Sequence, residues 1–202
     1  QKAATEEEKI SKKDEMIEAV EEVLEEGLNM VEPGVNVGEI GKKIEETADK
    51  YGYNTISNLT GHNLKQWSLH GGKTIPNVEK EDADEVLEEG EVVAIEPFVT
   101  DGEGEVEDMP EVYIFRYLGG KNVSGRMARR TLKQIHDTYG GLPYAERWLA
   151  RDLSRIRLQM TLRELISSKA LHPYYVLKEV EDGLVTQAEH TAIVTEDGCE
   201  IT

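Results

Sequence analysis

Apolar residues in the first part of the chain recur at helical spacing, with Ile10, Ile17, Val20, Leu24, Leu28 and Val31 on one face. Thr5 and Glu8 stand ahead of them as the two members of a capping box, and Pro33-Gly34 predicts the stop. A second helix is predicted from Asn36, paired with Glu39 in its cap, with Val37, Ile40, Ile44 and Ala48 facing inward and an end near Gly52. The period then shortens to two. Strands are predicted over 53–60, 67–70, 92–99 and 112–117, joined by acidic or Gly-rich connections. Residues 123–169 return to helical spacing, broken at Gly140-Gly141 and around Ser154, and two short strands near 174–179 and 184–194 close the chain. Helices followed by a hairpin have the outline of a winged helix.

Three ionisable residues break this pattern. Glu96 ends the apolar run Val92-Val93-Ala94-Ile95, Glu189 interrupts the alternating residues 184–194, and His62 closes Asn58-Leu59-Thr60-Gly61-His62. A carboxylate in a buried strand costs several kcal/mol unless a cation or a donor compensates it. Backbone or Arg partners would serve for either glutamate alone, whereas one shared metal would account for all three residues together. An imidazole and two carboxylates are a hard oxygen-and-nitrogen set, suited to Mn, Fe, Co or Zn.

The strings around these residues, taken in order, resemble the type II methionine aminopeptidases of archaea and eukaryotes. They are Val31-Glu32-Pro33-Gly34, Asn58-Leu59-Thr60-Gly61-His62, Leu69-His70-Gly71-Gly72-Lys73-Thr74-Ile75-Pro76-Asn77, Glu89-Gly90-Glu91-Val92-Val93-Ala94-Ile95-Glu96-Pro97-Phe98, Arg147-Trp148-Leu149, Pro173-Tyr174 and Gln187-Ala188-Glu189-His190-Thr191. The resemblance implies an α+β fold, the second half of a creatinase-like "pita-bread" architecture: a curved antiparallel sheet covered by helices, with a helical, winged-helix-like insertion. Residues 1–120 would be the second half of the catalytic domain, 121–172 the insertion and 173–202 the closing strands.

The resemblance also implies roles. His62 and Glu96 would hold one of two divalent ions (Co, Mn, Fe or Zn), and Glu189 would bridge both. His70 would be catalytic, touching the substrate beside the scissile bond as general acid or oxyanion donor; without the family it reads as a histidine bonded to its own loop. Leu69 would line the methionine pocket, with Tyr174 and Gln187 supporting the ligands from behind. Ala188 stands where many relatives place an aromatic, which alters packing behind Glu189 and leaves the ligand intact. His136, His172 and His190 carry no such role. The family's first half, with two further aspartate ligands and another histidine, has no match here, and Gln1 in place of Met agrees with a fragment. The chain by itself is therefore expected to be inactive. Asp101 and Asp108 could be taken for the missing aspartates, but the stretch 101–108 reads as a solvated acidic loop.

Composition narrows the setting. A lone Cys199 excludes an internal disulfide framework and suits a reducing compartment, and residues 1–10 hold no apolar signal region. A cytoplasmic location follows. The net charge of -18, from 41 acidic and 23 basic residues, points to a salty cytoplasm and a halophilic archaeal source, and argues against nucleic-acid binding by the whole surface. Residues 121–172 run the other way, with eleven Lys or Arg against four acids, a local +7 that leaves -25 on the remainder. The function expected is removal of the initiator methionine from nascent chains whose second residue is small. Its partners would be nascent N-termini, the missing first half on the same or a separate chain, and the ribosome. A non-catalytic pita-bread binding protein is the alternative that retention of all three ligands argues against. A nucleic-acid or ribosome-binding module centred on the basic insertion is a second, against which stands the absence of a base-reading motif.

Overall fold

The computed structural model describes residues 5–120, 122–151 and 153–202. Gln1, Lys121 and Asp152, which figure in the sequence reading, lie outside the described residues. The chain divides into two compact units, one made of residues up to Lys65, His70–Glu107 and Lys178–Thr202, the other of Gln66–Leu69 and Asp108–Leu177.

The first unit opens with α1 (Glu6–Leu28), whose capping box forms as read: Thr5 accepts from Glu8 N, and the Glu8 carboxylate accepts from Thr5 N at 2.7 Å. The helix stops at Leu28, short of Pro33. Helix α2 (Val37–Lys50) starts at Asn36, whose side chain accepts from Gly38 N at 2.7 Å and donates to Ala83 O at 2.7 Å. The cap thus closes on Gly38 rather than through Glu39. A five-stranded antiparallel sheet runs in the order β11 (Gly198–Ile201), β10 (His190–Thr195), β4 (Val92–Ile95), β2 (Thr60–Leu64) and β3 (Thr74–Pro76). Period two turns Val93 and Ile95 toward Val20, Val23 and Leu24 of α1 and Ile40 and Ile44 of α2, forming the core. Ala94 and Glu96 therefore look to the opposite face. A smaller sheet joins β1 (Asn54–Thr55), β5 (Phe98–Thr100) and β9 (Val185–Gln187).

The two sheets share one register. Ile95 pairs with His190 across β4 and β10, and Phe98 pairs with Gln187 across β5 and β9. Glu96 and Pro97 consequently stand opposite Glu189 and Ala188, where the ladder lapses. Ala188 N still reaches Pro97 O at 3.4 Å, but Pro97 has no N–H to return. The strand predicted over 92–99 is for this reason two strands.

The second unit carries β6 (Val106–Tyr117) between β7 (Pro143–Ala145) and β8 (Leu171–Glu179), with α3 (Arg126–Tyr139), α4 (Glu146–Leu149) and α5 (Arg155–Ser167). Its core gathers Phe115, Leu132, Ile135, Tyr144, Leu158 and Leu165. Helix α3 has no side-chain cap of its own; Glu164 of α5 accepts from Gly125 N at 2.6 Å instead.

Two expectations are corrected and a third is qualified. Residues 67–70 form no strand, because Trp67 takes a left-handed backbone at φ 63°. The strand expected over 53–60 shrinks to β1. The acidic stretch 101–108 keeps Glu103, Glu105, Glu107 and Asp108 exposed, as a solvated loop does, but its last three residues open β6 and the loop is anchored: Asp101 pairs with Lys12 and accepts from Leu184 N at 2.7 Å, while Glu103 N and Gly104 N bond the Glu179 carboxylate. Among the described residues no helix is long and apolar enough to cross a membrane.

Candidate metal centre

His62 lies in β2, paired with Thr74 of β3 and Ala94 of β4. Its neighbour Gly61 lets the strands approach, since a β-carbon there would stand 2.4 Å from Ala94 O. Directly paired residues share a face, and so do positions i and i+2, which brings His62 beside Glu96 on the side away from the helices. His62 is 6% exposed, with Nε2 3.2 Å from Glu96 Oε1 and Nδ1 3.3 Å from Asn63 O. Contact with Glu96 holds His62 above its ordinary pKa, against the opposing effect of burial.

Asn63 organises the next loop. Its Oδ1 accepts from Lys73 N at 3.0 Å and its carbonyl accepts from Gly71 N at 2.6 Å. This brackets His70, whose ring stands edge-on to that of His62 with centroids 4.4 Å apart. His70 is exposed, as a group meeting a substrate must be.

Glu96 is held at three atoms. Oε1 meets His62, Oε2 accepts from Gln187 Nε2 at 3.3 Å, and the main-chain carbonyl accepts from Asn77 Nδ2 at 3.3 Å. Glu189 stands opposite. The neighbouring pair Ala188–Pro97 is the hydrogen-bonded kind, so Glu96 and Glu189 occupy the intervening non-bonded kind, in which side chains approach more closely. Glu189 is exposed, not buried as its place in a predicted strand suggested, because it falls in the break between β9 and β10. Partial burial of its carboxyl end and the facing Glu96 charge raise its pKa, and His62 pulls the other way.

The donors suit a divalent ion in kind. Asn63 O engages Nδ1 of His62 and leaves Nε2 as the ligand nitrogen, the orientation imposed on metal-bound histidines by a backbone acceptor. Two facing carboxylates supply the negative charge. Yet among the described residues no three His, Cys, Asp or Glu side chains are gathered into a ready cage: His62 and Glu96 touch, while Glu189 couples to both through charge. Gln187 joins the pair through Glu96. Leu69 and Tyr174 belong to the second unit, where the Tyr174 ring stands 4.9 Å from that of His172. Sequence reasoning missed Asn63, whose side chain accepts from Lys73 N and also bonds the Glu91 carboxylate, and Asn77, which donates to two carbonyls; neither carries a charge to betray it.

Comparisons with known proteins identify the fold and the family. The chain is 49% identical over 158 residues to a methionine aminopeptidase of Methanothermobacter thermautotrophicus, covering 78% of this chain and 52% of that protein. It is 45% identical over 159 residues to one of Thermococcus onnurineus, covering 79% and 54%. The chain thus spans about half the length of the curated relatives it matches. Among solved structures, a thermophilic Arx1 superposes with a TM-score of 0.77 at 18% identity, covering 93% of this chain and 56% of its own. The methionine aminopeptidase of Rickettsia prowazekii gives 0.57 at 20%, covering 95% and 52%. These likenesses establish the α+β pita-bread fold. The profile of metallopeptidase family M24 matches residues 4–196, nearly the whole of the sequence, and the chain belongs to that family.

Proposed function

We propose that the full-length protein is a metal-dependent methionine aminopeptidase that removes the initiator methionine from nascent chains in the cytoplasm when the second residue is small. The observation that carries this reading is the meeting of His62 Nε2 with Glu96 Oε1 at 3.2 Å, on the face where Glu189 stands opposite Glu96. In this reading His62, Glu96 and Glu189 would hold the two divalent ions, Co, Mn, Fe or Zn. Bound ions of this kind supply Lewis acidity and a water acidified toward neutral pH.

The chain's own residues do the rest. Asn63 and Gln187 orient the ligands, and His70, exposed beside His62, donates a hydrogen bond to the scissile carbonyl oxygen as charge develops there. Leu69 and Tyr174 are assigned from the family strings alone, Leu69 to the methionine side chain and Tyr174 to a supporting role.

The test is cleavage of Met-Ala-Ser by the full-length protein, with Mn(II) binding measured by calorimetry on the same samples. Glu96→Gln and His62→Ala should weaken Mn(II) binding and remove activity together. His70→Ala should leave Mn(II) binding unchanged and lower kcat by ~10²–10⁴-fold. Full activity in Glu96→Gln would refute the assignment.

A second reading concerns the basic segment. Arg126, Arg130, Arg155 and Arg157 are exposed, and none forms an ion pair among the described residues. They suit a polyanionic surface, which for an enzyme acting on nascent chains is the RNA of the ribosome.

A further inference from the structure

We propose that Asn77 is a positioning residue that aims the Glu96 carboxylate by holding its main chain, a role that rests on the reading of Glu96 as a metal ligand. Asn77 follows β3 directly and is 1% exposed. Its Nδ2 donates to Leu59 O at 3.0 Å and to Glu96 O at 3.3 Å, joining the approach to β2 with the end of β4. Both partners are acceptors, so the amide can be seated only with its nitrogen toward them. That leaves Oδ1 buried without a hydrogen-bond partner. An apolar side chain of similar size would avoid this penalty, and an asparagine here is a net gain only if its two bonds do something an apolar residue cannot.

What they do follows from the ladder around Glu96. On the β10 side pairing lapses because Pro97 lacks a donor. On the β2 side the paired residues run from Leu64 and Val92 to His62 and Ala94, two residues short of Glu96. The main chain at Glu96 thus leaves both ladders at the residue whose carboxylate must be aimed. His62 and Gln187 hold only the carboxylate oxygens. Asn77 fixes the other end of the side chain, and Gly41 allows the close fit on the far side of this turn, where a β-carbon would stand 2.3 Å from Val78 O. Release of the Glu96 carbonyl would let the carboxylate sweep away from His62 and Glu189 while leaving its charge intact.

The experiment uses the full-length protein and three variants, Asn77→Leu, Asn77→Ser and Glu96→Gln. Each is measured for thermal unfolding, for Mn(II) affinity by calorimetry well below the unfolding midpoint, and for kcat and KM on Met-Ala-Ser. Asn77→Leu should weaken Mn(II) binding ~10–100-fold and lower kcat with little change in KM, as loss of a ligand's supporting partner does. Asn77→Ser, which keeps one O–H donor, should recover part of both. Wild-type Mn(II) affinity and kcat in Asn77→Leu would overturn the proposal, whatever happens to its melting temperature. Should Asn77→Leu fail to fold, Asn77→Ser decides: affinity between those of wild type and Glu96→Gln supports the role, and wild-type affinity overturns it. Unchanged Mn(II) affinity in Glu96→Gln would instead remove Glu96 as a ligand, a separate failure.

Discussion

At the scale of single residues, the candidate centre depends on an absent side chain as much as on those present. Gly61 has Ala94 O where a β-carbon would lie, at 2.4 Å, and that obstacle is main chain rather than a movable side chain. Gly61→Ala should force β2 and β4 apart at the register position that sets His62 beside Glu96. The expected cost is about 1–3 kcal/mol, as for other overpacked sites, with a parallel loss of Mn(II) affinity. Urea unfolding and calorimetry on one preparation check both, and wild-type stability would mean that the strands have slack there. His62 and Glu96 were legible in the sequence because charge in an apolar strand is conspicuous. Glu189 was found for a reason that does not hold, since it is exposed in a strand break and not buried. Its assignment as a ligand therefore rests on the family string. Asn77 was invisible because a neutral amide after Ile75-Pro76 reads as ordinary turn chemistry until its two carbonyl partners are seen.

At the scale of elements, helices were easier to read than strands. The capping box at Thr5 and the inner face of α2 follow from local chemistry, whereas strand β7 depends on a partner, β6, that is remote in sequence and that periodicity cannot reveal. The anchoring of the loop joining β5 to β6 was hidden for the same reason. Its anchor is Glu179, 3% exposed, whose carboxylate accepts from Glu103 N at 2.7 Å, Gly104 N at 3.3 Å, Glu181 N at 2.7 Å and Gly183 N at 2.8 Å. These amides, that of Gly183 foremost, hold Glu179 below the ordinary carboxylate value of 4.5. A carboxylate with a lowered folded-state pKa contributes stability that is present above its unfolded value and lost as pH falls through the folded one. Glu179→Gln should therefore be less stable than wild type at pH 7, and the two should converge once acid has protonated Glu179. Denaturant unfolding from pH 7 down to the acid limit of the native state measures the gap. A gap that stays constant with pH would assign Glu179 a packing role without a contribution from its charge.

At the scale of the whole molecule, composition located the charge without saying what it meets. The +7 of residues 121–172 stands against -25 elsewhere, and the compact unit that carries it starts earlier and ends later, at Asp108 and Leu177, because β6 and β8 supply its sheet. The basic side chains are not equivalent. Arg129 donates to Val123 O at 3.2 Å and also to Ser124 O, closing the entry to α3, so its removal would disturb the fold. Arg126, Arg130, Arg155 and Arg157 are exposed on α3 and α5 and can be changed with less structural consequence. If they meet ribosomal phosphates, binding must release counterions and weaken steeply with salt, with the slope falling by about one for each contacting arginine removed. Co-sedimentation of the full-length protein with ribosomes, wild type against the variant with all four arginines changed to glutamine, should show weaker binding and a slope shallower by up to ~4 in the variant. The comparison belongs between about 0.05 and 0.2 M salt, since at 1 M the screening length is only about 3 Å and would mask the difference. Equal binding and equal slopes would mean that these arginines face only solvent.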